Sequence, residues 1–231
     1  MTLPRPPVQF GFSRVAEALS DPAREAIVSA LADGKALPAG ELAELAGISP
    51  QSASAHLQKL VDARVLSVLA QGRFRYYRIV DDDVAFLIEG LVNLAAKTAR
   101  QTRGRQRIAE ELLRSRSCYR HLAGRLGVLL GDALVRRGFI AISGRTARIT
   151  DSGLDWCRSE KIDFVPQRSP HCRLCNDWTE RVPHLSGPLP AAILKRLIET
   201  RCVEPLKIPR ALRLSLKGRA FFDRLGVRIP F

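Results

Sequence analysis

Cys172 and Cys175 stand three positions apart in the stretch HCRLCNDWTERVPHLSG, residues 171–187, with His171 beside them and His184 nine residues beyond Cys175. Thiolate and imidazole are the ligands of tetrahedral zinc and of other thiophilic metals. A pair of thiols can also cycle between reduced and oxidised forms, and Arg173 and His171 would stabilise a thiolate there. Two further donors, Cys118 and His121, lie three apart in SCYRHLAG, a spacing that puts both on one face if the segment is helical. A second Cys-x-x-Cys or a His-x(3–5)-His would complete a zinc signature, and neither occurs. The candidate metal set is Cys172, Cys175, His184, Cys118 and His121, with His171 as an added donor. Three readings stay open: a structural or sensory metal, a thiol switch through Cys172–Cys175, or buried sulfurs and capping histidines without chemistry. Cys157 and Cys202 read as core positions.

The surrounding composition narrows the setting. Five cysteines are an odd and scattered number, which argues against a disulfide framework. At 231 residues, 46% hydrophobic and 26% charged, the chain suits two globular domains. There is no signal-peptide pattern and no apolar run of membrane length, so the expected location is the cytoplasm and no membrane partner is expected. The net charge of +14 favours a polyanion such as nucleic acid. It is uneven: residues 1–114 hold 15 basic against 13 acidic side chains, residues 115–231 hold 22 against 10. No glycine-rich phosphate loop, nucleophile elbow or suggestive carboxylate pair occurs, so no enzyme is expected; Cys172 with His184 is the residual nucleophile–base pairing.

The N-terminal half carries a sharper pattern. In SDPAREAIVSALADG, Ser20 is a candidate N-cap, Pro22 a first helical residue, and Ala26, Ile27, Ala30 and Leu31 recur at helical spacing before Gly34. A short helix around Glu41–Ala46, a turn at Gly47, and a helix from about Pro50 to Ala63 capped by Ser49 then make a helix-turn-helix. In the second helix Leu57, Leu60 and Val61 can face inward. Gln51, Ser52, Ser54, Ala55, His56 and Gln58 are small or polar, the kind of side chain that reaches base edges in a major groove, and Lys59 suits phosphate. The segment VLSVLAQGRFRYYRIV follows as a hairpin turning at Gln71-Gly72, with Arg73, Arg75 and Arg78 alternating with aromatics: a basic wing.

These segments, DPAREAIVSALADG, ELAELAGISPQSASAHLQKLVDARVL and GRFRYYRI, resemble the ArsR/SmtB-type winged helix-turn-helix transcriptional regulators over about residues 8–98. The resemblance implies a homodimeric repressor that inserts paired recognition helices into a palindromic operator in double-stranded DNA. It implies base reading by Gln51, Ser52, Ser54 and His56, and phosphate contacts from Lys59, Arg73 and Arg75. It also implies dimerisation through the terminal helices. The stripe Val84, Leu87, Ile88, Leu91, Leu94, Ala95 and Thr98 independently asks for a partner surface. The metal-sensing positions of such regulators are not matched: ELAELAGIS has no thiol, and the dimer helix offers Asp82, Asp83 and Glu89 without a histidine.

Beyond the basic stretch Arg100–Arg107 the chain matches itself. His121-Leu122-Ala123-Gly124 parallels His184-Leu185-Ser186-Gly187, and Leu134-Val135 parallels Leu197-Ile198. Arg145-x-x-Arg148-Ile149-Thr150-x-x-Gly153 parallels Arg210-x-x-Arg213-Leu214-Ser215-x-x-Gly218, with Trp156 and Phe221 closing the register. Helix, hairpin and capped helix are expected twice, at about 117–157 and 181–222. Arg145, Arg148, Arg210 and Arg213 would flank the hairpins, to bind DNA or an acidic ligand or to lie solvated. The expected fold is mainly α with small β wings: a winged helix-turn-helix domain over 8–113 and a C-terminal domain of two winged-helix-like repeats over 114–231. The expected function is a homodimeric repressor whose operator binding responds to a metal, thiol chemistry or a small ligand at the C-terminal domain. The alternatives are a non-sensing architectural DNA-binding protein or an enzyme in the C-terminal half.

Overall fold

A computed structural model describes residues 12–72, 74–102, 109–144, 146–166 and 172–231. The chain divides into two compact units: the residues through Leu31 with Lys35–Val80, and Ala32–Gly34 with Asp81–Phe231.

The first unit runs α1 (Ser13–Leu19), α2 (Pro22–Ala30), β1 (Leu37–Pro38), α3 (Ala39–Ala46), α4 (Pro50–Asp62), β2 (Leu66–Gln71) and β3 (Phe74–Ile79), with sheet order β1-β3-β2. Asp21, rather than Ser20, caps α2, accepting from the amides of Ala23 and Arg24. Pro22 is the reason: a proline pushes the residue before it to extended backbone, where an N-cap must lie. Ser20 instead donates to the Glu17 carbonyl at the end of α1. Gly47 ends α3 at φ 65°, a left-handed turn that glycine tolerates. Ser49 then caps α4 through the Ser52 amide, with Pro50 at the first helical position. Ile27, Leu31, Leu42, Leu57, Leu60 and Ile79 are fully buried and hold the helices on the hairpin. This is a winged helix-turn-helix.

The second unit begins with α5 (Asp82–Thr102) and α6 (Glu110–Arg114). Next come β4 (Arg116–Cys118), β5 (His121–Ala123), α7 (Gly124–Arg136), β6 (Ile140–Ser143), β7 (Thr146–Ile149) and α8 (Asp151–Ser159). It closes with β8 (Cys172–Asn176), β9 (Pro183–Ser186), α9 (Pro188–Glu199), β10 (Val203–Pro205), β11 (Leu212–Leu214) and α10 (Leu216–Arg224). The order hairpin, helix, hairpin, helix thus occurs in both halves. The expected segments began at a helix and missed the leading hairpin, and the chain carries eleven strands among its described residues, more than small wings alone.

The halves exchange sheets. Strands β6-β7-β8-β9 form one antiparallel sheet, so the second hairpin of the first half continues onto the first hairpin of the second half through Ala147 opposite Cys172. The reverse junction is shorter: the Ser117 amide donates to the Arg210 carbonyl at 2.8 Å, and the Leu212 amide to the Ser115 carbonyl at 3.0 Å. Leu126, Leu134, Leu189, Ile193, Leu197 and Phe222 fill the core between helices of both halves, with Cys157, Cys172 and Cys202 among them. Cys157 and Cys202 sit where the sequence led us to expect them. Helix α5 packs with this unit rather than with the winged helix, where the expected boundary at 113/114 put it. It buries Ala85, Ile88 and Glu89 and leaves Leu87, Leu91 and Leu94 exposed.

Two helix starts are matched across the halves. Thr150 caps α8 through the Gly153 amide, and Ser215 caps α10 through the Gly218 amide. A Cβ on Gly153 would meet the Phe139 carbonyl oxygen at 2.2 Å, and one on Gly218 the Cys202 carbonyl oxygen at 2.1 Å. Backbone cannot yield as a flexible side chain does, so Gly153→Ala and Gly218→Ala should each cost about 1–3 kcal/mol in denaturant unfolding. Gly40→Ala, where nothing lies within 4 Å of the added carbon, should be neutral or slightly stabilising.

Candidate nucleic-acid interface and candidate metal centre

Helix α4 presents one wet face. Gln51, Ser52, Ser54, Ala55, Gln58 and Lys59 are exposed while Ala53, Leu57 and Leu60 are buried. The Ser54 hydroxyl donates back to the Pro50 carbonyl at 3.0 Å, and Gln58 donates to Asp62 at 2.8 Å. His56 differs from its expected role on that face. Its side chain is only 22% exposed, and its Nδ1 accepts from Arg24 at 3.2 Å. Arg24 is itself buried and donates to the carbonyls of Ala18 and Glu17, so His56 belongs to a knot tying α4 to α1 and α2. On the hairpin, Arg75 and Arg78 are exposed on β3 beside Phe74. Arg73 lies outside the described residues.

The second site is buried. Cys118, His121, Cys175 and His184 bring one donor atom each within 4.8 Å of one another, all four with almost no solvent exposure. Backbone pairing explains the convergence. Cys118 lies directly across from His121 in the β4–β5 hairpin, and Cys175 directly across from His184 in β8–β9. Residues opposite each other on antiparallel strands share a face. Each half therefore supplies one thiol and one imidazole, and the imidazole Nε2 atoms meet at 3.0 Å. The Cys118–His121 pair is joined by a two-residue turn rather than the helical turn expected, with Tyr119 left-handed at φ 55°.

Cys172 does not join this group. Successive strand side chains point to opposite faces, so positions 172 and 175, an odd number apart on β8, point apart. Cys172 faces the apolar core, where burial pushes its thiol up to about 12. The Cys172–Cys175 pairing expected for chelation or a thiol switch is therefore not formed. His171 lies outside the described residues.

The cluster is electrostatically ordered. A hydrogen bond with Cys118, aided against burial by His121 and His184, draws the Cys175 thiol down to about 3, while burial drives Cys118 well above its ordinary value. Burial lowers the His121 imidazole from its usual range, with Cys175 opposing the shift and His184 adding to it. Beside the ligands, Asp177 is fully buried. It accepts from Arg116 at 2.8 Å, from the Thr179 and Glu180 amides, and from the Gly124 amide at 2.8 Å. Burial alone would raise its carboxyl, but the Arg116 guanidinium and these donors hold it well below the carboxylate range. Its Oδ2 lies 3.4 Å from His184 Nδ1. Asp177 closes an Asx turn through the Thr179 and Glu180 amides, and its ion pair with Arg116, 61 positions away, is what the sequence did not disclose.

Arg210 also departs from the expected hairpin surface. It donates to Glu89 of α5 at 2.5 Å and to the Ser117 carbonyl at 3.0 Å, next to Cys118. Arg148 and Arg213 are exposed, Arg213 pairing with Glu204. Arg145 lies outside the described residues. A cavity of about 240 Å³ opens beside the cluster, lined by Phe86, Glu89, Tyr119, His121, Cys175 and Pro188 among others. No helix among the described residues is long and apolar enough to cross a membrane.

A helix-turn-helix domain family matches residues 19–68. The chain is 37% identical over 221 residues to the uncharacterized HTH-type transcriptional regulator YdfF of Bacillus subtilis (strain 168), a match covering 94% of this chain and 98% of that protein. Among solved structures it is similar to the homodimeric winged helix-turn-helix domain of Mb0332 from Mycobacterium bovis (29% identity, 41% of this chain, 86% of that one, TM-score 0.35). It is also similar to the antimony-specific repressor AntR (29% identity, 42% of this chain, 91% of that one, TM-score 0.35). The chain belongs to the helix-turn-helix transcriptional regulators, which are DNA-binding proteins, and its first unit has the winged form of that fold.

The buried pair beside the cluster yields a stability prediction. Asp177→Asn would leave the Arg116 guanidinium buried without its counter-charge, and should cost about 3–5 kcal/mol in denaturant unfolding. Replacing both partners with apolar residues of similar volume, Arg116→Met with Asp177→Leu, should cost less than the sum of the single changes.

Proposed function

We propose that the protein is a homodimeric repressor that reads a palindromic operator with α4 and grips the flanking phosphates with its wing, under control of its C-terminal unit. The observation that carries the reading is the segregated face of α4. Its apolar residues are spent on the core, and Gln51, Ser52 and Ser54 are left wet at the helix N-terminus, where a major groove admits short polar groups. Lys59, Arg75 and Arg73 are assigned to phosphate. His56 is assigned a positioning role through Arg24 instead of a base contact.

Dimerisation is assigned to α5. Leu87, Leu91 and Leu94 recur at helical spacing and stay exposed in the single chain, an arrangement a second copy would cover. Two recognition helices must then sit about one turn of DNA apart to enter successive major grooves. Control from the C-terminal unit is assigned to the buried thiol–imidazole cluster, whose donors suit zinc or another thiophilic metal. Anything bound there that shifts α5 would alter the spacing of the two reading heads and thereby operator affinity.

Selection of binding sites from random duplexes with the full chain should yield a two-fold symmetric sequence. The Gln51→Ala/Ser54→Ala variant should lose discrimination by about 1–3 kcal/mol per affected position. Lys59→Ala should weaken all sequences alike and reduce the slope of log affinity on log salt by about one. Unchanged site preference in the double variant would remove the assignment. Leu87→Glu/Leu91→Glu should sediment as a monomer and bind only half-sites, weakly; a persistent dimer would place the interface elsewhere.

A further inference from the structure

The four donors form a set with a geometry of its own. In a tetrahedral zinc site, bonds of roughly 2.0 Å to nitrogen and 2.3 Å to sulfur set neighbouring donors about 3.3–3.8 Å apart. Here all four lie within 4.8 Å of one another, so a slight inward movement of short side chains closes the shell. Two thiols and two imidazoles are a full complement for a closed site with no open coordination position.

The tautomers point the same way. Asp177 Oδ2 faces His184 Nδ1, which has no other partner among the described residues. A proton on Nδ1 suits that carboxylate and leaves the Nε2 lone pair directed at His121 Nε2, 3.0 Å away. Two imidazole nitrogens so close need either a single proton or a cation between them. A carboxylate behind a ligating histidine is the usual outer support of such a metal. The Cys175 and His121 side chains also line the neighbouring cavity, which gives an ion a path in.

We infer that Cys118, His121, Cys175 and His184 form a resident tetrahedral zinc site that clasps the two halves of the C-terminal unit, with Cys172 excluded. The inference rests on the C-terminal unit being the controlling part of the regulator, and it replaces an undefined effector with a defined ion. One Cys–His pair comes from β4–β5 and the other from β8–β9, so a single ion bonds both hairpins at once. The clasp also reaches α5. Strand β4 carries three buried residues in a row: Arg116 bonds Asp177 behind His184, Ser117 accepts from Arg210, and Cys118 is a ligand. Arg210 in turn holds Glu89 on α5. Loss of zinc frees β4 and with it the seat of that helix.

The test is metal analysis of full-length protein purified under reducing conditions. One zinc per chain is expected, retained in Cys172→Ser and lost in Cys118→Ser and in His184→Gln. Replacing zinc with cobalt(II) in the unaltered chain should give tetrahedral d–d bands and thiolate charge-transfer absorption from two sulfurs, a readout that does not depend on any variant folding. Chelation should speed amide exchange in β4, β5, β8 and β9 while leaving α2–α4 unchanged. Absence of both zinc and a cobalt spectrum overturns the site, as does zinc lost equally from Cys172→Ser. Neither result touches operator reading by Gln51 and Ser54, so failure of the clasp and failure of the regulator assignment are told apart.

Discussion

The C-terminal unit is organised around one ion pair held entirely out of water, Arg116 with Asp177. Removing two charges from solvent is costly, and the cost is offset only where every remaining donor and acceptor finds a partner. Asp177 meets that demand, whereas Nε of Arg116 is buried without a hydrogen-bond partner among the described residues. The Asp177 carboxylate accepts from Arg116, Thr179, Glu180 and Gly124, which belong to both halves of the unit, and it stands behind His184. Arg116 also lies over the Trp178 ring at 4.5 Å and donates to the Leu112 carbonyl. The pair therefore fixes the two leading hairpins against each other before any metal is considered, and the sulfur and imidazole donors arrive already positioned.

Pleat parity then decides which side chains can act together. Directly opposed residues on antiparallel strands share a face, whereas neighbours three apart on one strand do not. That rule assembles Cys118 with His121 and Cys175 with His184, and it sends Cys172 into the apolar core. The unit is built by exchange, each half lending a hairpin edge to the other, so the four donors converge where the halves meet.

A division of labour follows within the regulator. In the first unit polar groups are kept wet on one face of α4 and on the wing, as a reader of DNA requires. In the second, polar groups are driven inward: Asp177 is fully engaged, while Arg116 Nε, Glu89 Oε2 and His184 Nδ1 are buried without a hydrogen-bond partner among the described residues. Helix α5 follows two residues after β3 and is tied to the second unit through Glu89 and Arg210, so the element that presents the exposed leucines is also the one anchored to the buried network. The same helix is thus joined to β3 of the first unit by chain continuity and to the buried network of its own unit by the Glu89–Arg210 ion pair.

Local chemistry was readable from the chain alone. The proline at position 50 with Ser49 before it, the glycine at 47, and the alternating arginines and aromatics after Gln71 define helix starts, stops and a hairpin because each acts over a few residues. The recurring glycines at 153 and 218 likewise marked matched helix starts. Facing partners were not readable. That His56 turns to Arg24, that Arg210 turns inward to Glu89, and that Cys175 finds Cys118 and not its near neighbour Cys172 are settled by strand register and by packing across 32 to 121 positions of chain. Two Cys…His pairs of unequal spacing, 118 with 121 and 175 with 184, were the available hint, but a helical reading of the first hid it. Short-range backbone preferences are written residue by residue, whereas which buried groups meet depends on how sheets and helices close on one another, and only the folded chain decides that.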